Sequence, residues 1–230
     1  MEAQLHETLE NPFWAALTTT HAEHALTLGE LKRFAPDVAP FCAVAHADAD
    51  IGVAQGCQPG ELMYFLGTVP ALPRGWTVLP EGSGTVLQMV YERGVPDDAE
   101  LADAAQQLFE QDKPSMLALT GLVYPEYFRP HTARLGKYFG RYQDGSLIAM
   151  AGQRMASTGY REISAVCTHP AHTGQGHARR LIRQLTRAIL EEGRTPFLHV
   201  SASNVKARAL YEELGFAASR ELRLAKVRTT

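Results

Sequence analysis

A chain of 230 residues, 45% hydrophobic and 20% charged, is long enough to bury a full core as one large domain or two small ones. Its net charge of −3 leaves no basic surplus of the kind that phosphate-backbone binding requires, which argues against nucleic acid as a partner. Cys42, Cys57 and Cys167 are widely spaced and form no CxxC, so neither a disulfide framework nor a cysteine-based zinc site is expected, and a reducing cytoplasm is the expected location. The start MEAQLHETLENPF lacks the basic and apolar regions of a signal peptide, and no apolar run is long enough to cross a bilayer, so no membrane partner is expected.

Between Asn11 and about Pro40, Phe13, Trp14, Leu17, Leu26, Leu28, Leu31 and Phe34 recur at roughly helical intervals, which predicts two short helices. FCAVA at 41–45 and LMYFLG at 62–67 suit short strands. The stretch 69–85 carries three prolines and three glycines and marks a domain boundary near residue 83, giving an N-terminal α/β region over 1–83 and a second domain over 84–230. VLQMVYE at 86–92 reads as a strand. Residues 97–111 read as a helix with an acidic first turn and Leu101, Ala104, Ala105 and Leu108 on one face, and 115–123 as another helix. KYFGRYQ and SLIAMAG form a hairpin about Asp144-Gly145, EISAVCT at 162–168 is a strand stopped by His169-Pro170, and residues 177–192 are an amphipathic helix closed by Gly193. FLHVS at 197–201 is a strand, Ser203 or Asn204 caps a helix running to Leu214, and 218–227 alternates as a last strand.

The loop HPAHTGQGHA at 169–178 thus lies between a strand and a helix N-terminus, where free amides and the helix dipole attract an anion. Gly174 and Gly176 would let a phosphate approach closely, although such loops also occur without a ligand. His169, His172 and His177 do not share a helix face and lack a fourth ligand set, so they read as solvated loop side chains and no metal is expected. No GxxxxGK[ST] is present, and the loop is not the GxGxxG of a dinucleotide fold. His199 reads as an ordinary strand residue.

ISAVCTHPAHTGQGHARRLI followed by HVSASNVKARALYEELGF resembles the core of the GCN5-related N-acetyltransferase (GNAT) superfamily, in particular its FR47-like branch, which includes the glycine N-acyltransferase-like proteins. The likeness spans about residues 163–216. In the superfamily pattern [QR]xxGxGxA or [QR]xxGx[GA], Gly176 and Ala178 fill the last two places, and in the second form Thr173 stands where Arg or Gln is usual. NxxAxxLYxxxGF is matched in full by Asn204, Ala207, Leu210, Tyr211, Gly215 and Phe216.

The resemblance implies an α/β fold with a splayed mixed β-sheet flanked by helices. Acetyl-CoA, or another acyl-CoA, would be the co-substrate, with its pyrophosphate at Thr173, Gly174, Gln175, Gly176, His177 and Ala178 and with Arg179 or Arg180 nearby. The pantetheine arm would pair with the backbone around Val166, Cys167 and Thr168, and Asn204 and Ala207 would flank it from the other side. Tyr211 would be the proton donor to the leaving thiolate, or else an aromatic anchor of its helix. Glu162 would be the carboxylate that draws a proton through water, or else an exposed strand-end residue. Tyr124, Glu126, Tyr127 and Phe128 would line the acceptor pocket, or else seal the core.

Residues 1–83 then read as a structural or substrate-shaping half, with a degenerate copy of the same fold as the alternative. The implied activity is N-acetyl transfer to a primary amine of a small molecule. A non-catalytic acyl-CoA sensor and an acetyltransferase acting on a protein amine are the alternatives, and a homodimer is left open.

Overall fold

A computed structural model describes residues 8–52, 56–96 and 105–230. Among these residues the chain forms an eight-stranded mixed sheet and a small three-stranded sheet. The N-terminal elements are helix α1 (Pro12–Thr18) and strands β1 (Ala25–Leu28), β2 (Leu31–Phe34), β3 (Cys42–Ala43), β4 (Leu62–Leu66) and β5 (Thr77–Tyr91). They are followed by β6 (Gln106–Leu108), α2 (Lys113–Val123), β7 (Tyr138–Gln143), β8 (Ser146–Ser157), β9 (Tyr160–Thr168), α3 (His177–Glu191), β10 (Thr195–Ser201), α4 (Val205–Glu213) and β11 (Phe216–Arg228). The large sheet has the order β4-β11-β5-β10-β9-β8-β7-β6, and the small sheet the order β1-β2-β3.

Three expectations are corrected. The second N-terminal helix is instead the β1/β2 hairpin: Leu28 pairs with Leu31 across a turn whose first residue, Gly29, has φ 62°, a conformation that glycine adopts without strain. Leu31 and Phe34 are buried as strand residues, so tertiary packing overrides the helical spacing. The helix over 97–111 falls partly on 97–104, outside the described residues, while Gln106–Leu108 is an edge strand against β7. Gln184 of α3 supplies both a donor and an acceptor to the backbone of Ala105 and ties down the start of that edge.

The third concerns the proline- and glycine-rich stretch. Its residues 77–85 belong to β5, which pairs with β11 along its length, and position 83 lies inside this strand. Proline cannot donate to a ladder. The irregularity absorbs it: Leu79 pairs with Lys226 and Gly84 with Leu224, so residues 80–83 bulge opposite one partner residue. The Ser83 hydroxyl accepts from the Lys226 amide at 2.8 Å and so satisfies a donor that the bulge would orphan.

The Asp144-Gly145 turn, with φ 49° and 76°, joins β7 to β8 as its dipeptide predicts. α3 covers one face of the sheet, burying Leu181, Ile182, Leu185 and Ile189 against Leu87, Met89, Leu198 and Val200. On the opposite face, α1 packs through Phe13 and Leu17 in a cluster with Met155, Tyr160 and Phe197, and α2 packs through Met116 and Leu119 in a cluster with Met150 and Cys167.

One feature of the topology positions the site. β9 and β10 are parallel neighbours, but their pairing is confined to Tyr160, Arg161 and Glu162 against Thr195, Pro196 and Phe197. Beyond Glu162 the two strands diverge. β10 continues on its other edge against β5, leaving a wedge between residues 163–168 and 198–201.

Candidate active site

The glycine loop crosses one end of this wedge. β9 ends at Thr168, His169 donates its amide to Ile148 O at 2.7 Å, and Pro170–His172 makes one tight turn. Gly174 and Gly176 have φ 80° and 77°, a region costing other residues roughly 1–2 kcal/mol. Gly176 is the N-cap of the 15-residue α3, and no side chain caps that end. A helix N-terminus with its first amides uncapped by a side chain is a favourable place for an anion. Arg180 donates from Nη1 to Gln175 O at 3.0 Å, bracing the loop, whereas Arg179 pairs with Glu213 of α4 at 2.5 Å.

The wedge itself is shaped by a bulge in β9. Met150 and Gly152 of β8 pair with Cys167 and Ser164, so three steps on β9 oppose two on β8, and Ala165 takes the left-handed φ of 51°. The extra residue leaves backbone groups of β9 out of the ladder beside the wedge. The Val166 carbonyl accepts the Tyr124 hydroxyl. Across the wedge, Asn204 caps α4 by accepting the Ala207 amide on Oδ1 at 3.1 Å, and Tyr211 is buried on the same helix. Burial pushes the Tyr211 hydroxyl up to about 12. It does the same to the Cys167 thiol, which disfavours the reactive thiolate.

A cavity of about 290 Å³ opens from this wedge and runs beneath the N-terminal elements. Tyr211, Asn204 and Val166 line one part. Phe13, Phe41, Tyr127 and Phe128 also line the cavity, as does Tyr124. Glu126 does not line it. Its carboxylate is held by Lys226 Nζ, 2.7 Å from each oxygen, and by the Tyr64 hydroxyl, which together keep it below the usual carboxylate range.

Glu162 is not the exposed strand-end residue that was one of its two expectations. It is 1% exposed and accepts four hydrogen bonds: Arg154 Nε at 2.8 Å, Arg154 Nη2 at 2.7 Å, the Met155 amide at 3.2 Å and His199 Nδ1 at 2.8 Å. Burial opposes its ionisation, but the Arg154 guanidinium with His199 outweighs burial and holds the carboxyl well below its usual range. Such a carboxylate has too little proton affinity to draw a proton from an amine near neutral pH. With Nδ1 donating to Glu162, His199 Nε2 accepts from Gln88 Nε2 at 3.1 Å, and that amide also donates to Leu9 O at 3.0 Å.

Arg154 and His199 are site residues that the sequence reading missed. The available signal was an arginine amid the apolar run of β8, since a charge on a central strand must be paired. Among the described residues no cluster of three histidine, cysteine or carboxylate groups is arranged to hold a metal ion, and no described helix is long and apolar enough to cross a membrane.

Comparisons with known proteins agree with this fold. A family profile described as FR47-like protein matches residues 138–224, from β7 into β11. A crystal structure from Novosphingobium aromaticivorans, assigned in its description to the GNAT family of acetyltransferases, is 33% identical with a TM-score of 0.87, covering 96% of this chain and 98% of its own. A GCN5-related N-acetyltransferase from Kribbella flavida is 15% identical with a TM-score of 0.58, covering 94% and 93%, and so shares the fold. The likeness to glycine N-acyltransferase-like proteins is not supported by these matches, and no curated protein matches the chain.

Proposed function

The chain belongs to the GNAT family of acetyltransferases, and from that premise we propose that it transfers acetyl from acetyl-CoA directly to a primary amine of a small molecule. The observation that carries this reading is the wedge between β9 and β10, which joins the loop at the α3 N-terminus to a cavity large enough for a small acceptor.

The co-substrate's pyrophosphate would rest on the amides of Gly174 to Ala178. Thr173 in place of Arg or Gln removes a side-chain contact but none of these backbone donors. The pantetheine arm would lie along residues 166–168, where the bulge frees backbone groups, with Asn204 opposite offering its Nδ2. A thioester supplies an activated acyl carbon: an N–C bond forms, the C–S bond breaks, and the amine's surplus proton passes to water as the thiolate is protonated.

The chain's own contribution is chiefly positioning and electrostatics. The Val166 or Cys167 amide would face the thioester oxygen. Tyr211 is a weaker acid than a thiol of ordinary pKa, about 8.5, so full proton transfer from it is uphill and it stabilises the leaving sulfur mainly by donating a hydrogen bond. Glu162 acts through its neighbours, fixing Arg154 and His199 beside the cavity.

The elements ahead of β5 serve as the substrate-shaping part of the molecule, contributing Phe13, Phe41 and Leu66 to the cavity. The test is a pair of measurements: stabilisation of the protein by acetyl-CoA, and CoA release across a panel of small amines. Binding and turnover together support the reading. Binding with no turnover on any amine would leave only an acyl-CoA-binding module, and no binding would remove both.

A further inference from the structure

Arg154, Tyr138 and Phe41 line the same cavity in an arrangement that the transfer chemistry does not require. Arg154 projects from β8 with its guanidinium over the Phe41 ring at 4.5 Å, and it directs Nε and Nη2 at Glu162. Nothing among the described residues accepts from its Nη1. That atom is also absent from the fully enclosed, unpartnered polar atoms, so it keeps accessible surface on a side chain that is 15% exposed and lines the cavity. Glu162, by contrast, is sealed at 1% exposure and saturated by its four donors, so the charge a ligand can reach is the cation.

Tyr138, on β7, adds a second donor. Its ring lies across Gly152, where a Cβ would come within 2.1 Å of the ring, so glycine is what makes room for it. The residue lines the cavity and is 1% exposed, and its hydroxyl has no partner among the described residues. A buried hydroxyl without a partner is expensive, and such exceptions need an explanation. The neighbouring hydroxyls are already engaged: Thr120 donates to Met116 O at 2.7 Å and Thr132 to Val38 O at 2.6 Å.

We propose that Arg154 and Tyr138 form a carboxylate-binding floor in the cavity, and that one substrate of the transfer carries a carboxylate on an apolar body. A planar guanidinium edge matches a carboxylate, and the Tyr138 O–H, enclosed and unpartnered in the free protein, becomes a further donor when a ligand fills the cavity. The walls Phe13, Phe41, Tyr127 and Phe128 suit an apolar or aromatic body. The carboxylate has two chemical sources, the acceptor as an amino acid or the acyl group as the half-acid of a dicarboxylate. This inference rests on the acyl-transfer reading and adds the substrate class to it.

The experiment compares matched pairs on the full chain. In the acceptor arm, phenylalanine is set against phenylalaninamide and phenethylamine with acetyl-CoA; in the acyl arm, succinyl-CoA is set against butyryl-CoA with phenethylamine. Tyr138→Phe is the informative variant, because the hydroxyl it removes holds nothing in the fold, so the free protein should be as stable as the parent or more so. The expected result is a preference for the carboxylate-bearing member in one arm, with KM for that member raised about tenfold or more in Tyr138→Phe and KM for the carboxylate-free partner unchanged. Arg154→Lys, which keeps a cation for Glu162 but loses the planar fork, should weaken the same member. Turnover of the carboxylate-free amines with no carboxylate preference in either arm overturns the floor and leaves acetyl transfer standing. Failure of acetyl-CoA to bind at all overturns the underlying reading and this inference with it.

Discussion

Replacing Glu162 by Gln removes one charge from the best-enclosed ion pair in the site while keeping side-chain shape. In the parent, two Arg154 nitrogens, a backbone amide and His199 converge on the carboxylate, which is 1% exposed. The variant leaves Arg154 as a nearly buried cation without a counter-charge and turns an NH2 toward one of its donors. Breaking one side of such a pair costs about 3–5 kcal/mol, which for a chain of this size corresponds to a fall in Tm of roughly 6–20 °C.

The pH dependence has a definite sign. The folded pKa of Glu162 is depressed below the ordinary value of 4.5, so the pair's stabilisation is fully present above that value and is lost as pH falls below it. Parent and variant should therefore differ most near neutrality and converge on acidification. Thermal or urea unfolding at pH 7 and at stepped pH values down to about 3.5 measures both effects. A loss under about 1 kcal/mol at pH 7, the range of an exposed pair, or a gap that widens on acidification, would refute the buried-pair account. The double replacement Arg154→Met with Glu162→Met should recover much of the loss, since removing both charges leaves neither uncompensated.

Gly176→Ala meets only ordinary van der Waals contact, with Arg180 Nη1 at 3.6 Å from the added carbon, so its cost is the left-handed backbone alone, roughly 1–2 kcal/mol by urea unfolding, together with weaker acetyl-CoA binding because relief of strain shifts the loop amides. Tyr211→Phe should lower kcat while leaving acetyl-CoA affinity nearly intact by calorimetry; equal loss of both would make Tyr211 an anchor of its helix instead. Since the Tyr211 hydroxyl is pushed up to about 12, a pH–rate profile should show no loss of activity from its ionisation between pH 7 and 10. Thiol reagents at pH 8 should modify Cys57, which is partly exposed, well before Cys42 or Cys167, which are buried with thiols pushed upward, and Cys167→Ala should retain turnover.

The parts of the fold legible in the sequence are those governed by local chemistry. Asp144-Gly145 supplies the positive φ angles of its turn, His177–Glu191 displays one apolar face, Asn204 is a helix cap, and the glycine loop sits between strand and helix as its spacing requires. What stayed hidden depends on partners distant in the chain. Leu26 to Phe34 match a helix by spacing, yet the packed solution is a hairpin. Pro80 and Gly82 look like a linker until β11 is beside them to host a bulge. At the site, Tyr211, Asn204 and the loop follow from local motifs, whereas the state of Glu162 is set by Arg154, eight residues earlier, and by His199, thirty-seven later, and no local pattern encodes that meeting. Glu126 illustrates the same limit, since its charge is claimed by Lys226, a hundred residues away.

Hydrogen exchange with and without acetyl-CoA tests the central claim most directly, because it reports on the wedge and the loop separately and needs no knowledge of the acceptor. The account predicts increased protection of the amides at 166–168 in β9 and at 174–179 over the start of α3, with the β1/β2 hairpin unchanged. Binding that protects some other surface, or saturating acetyl-CoA that leaves both segments exchanging as in the free protein, would contradict it.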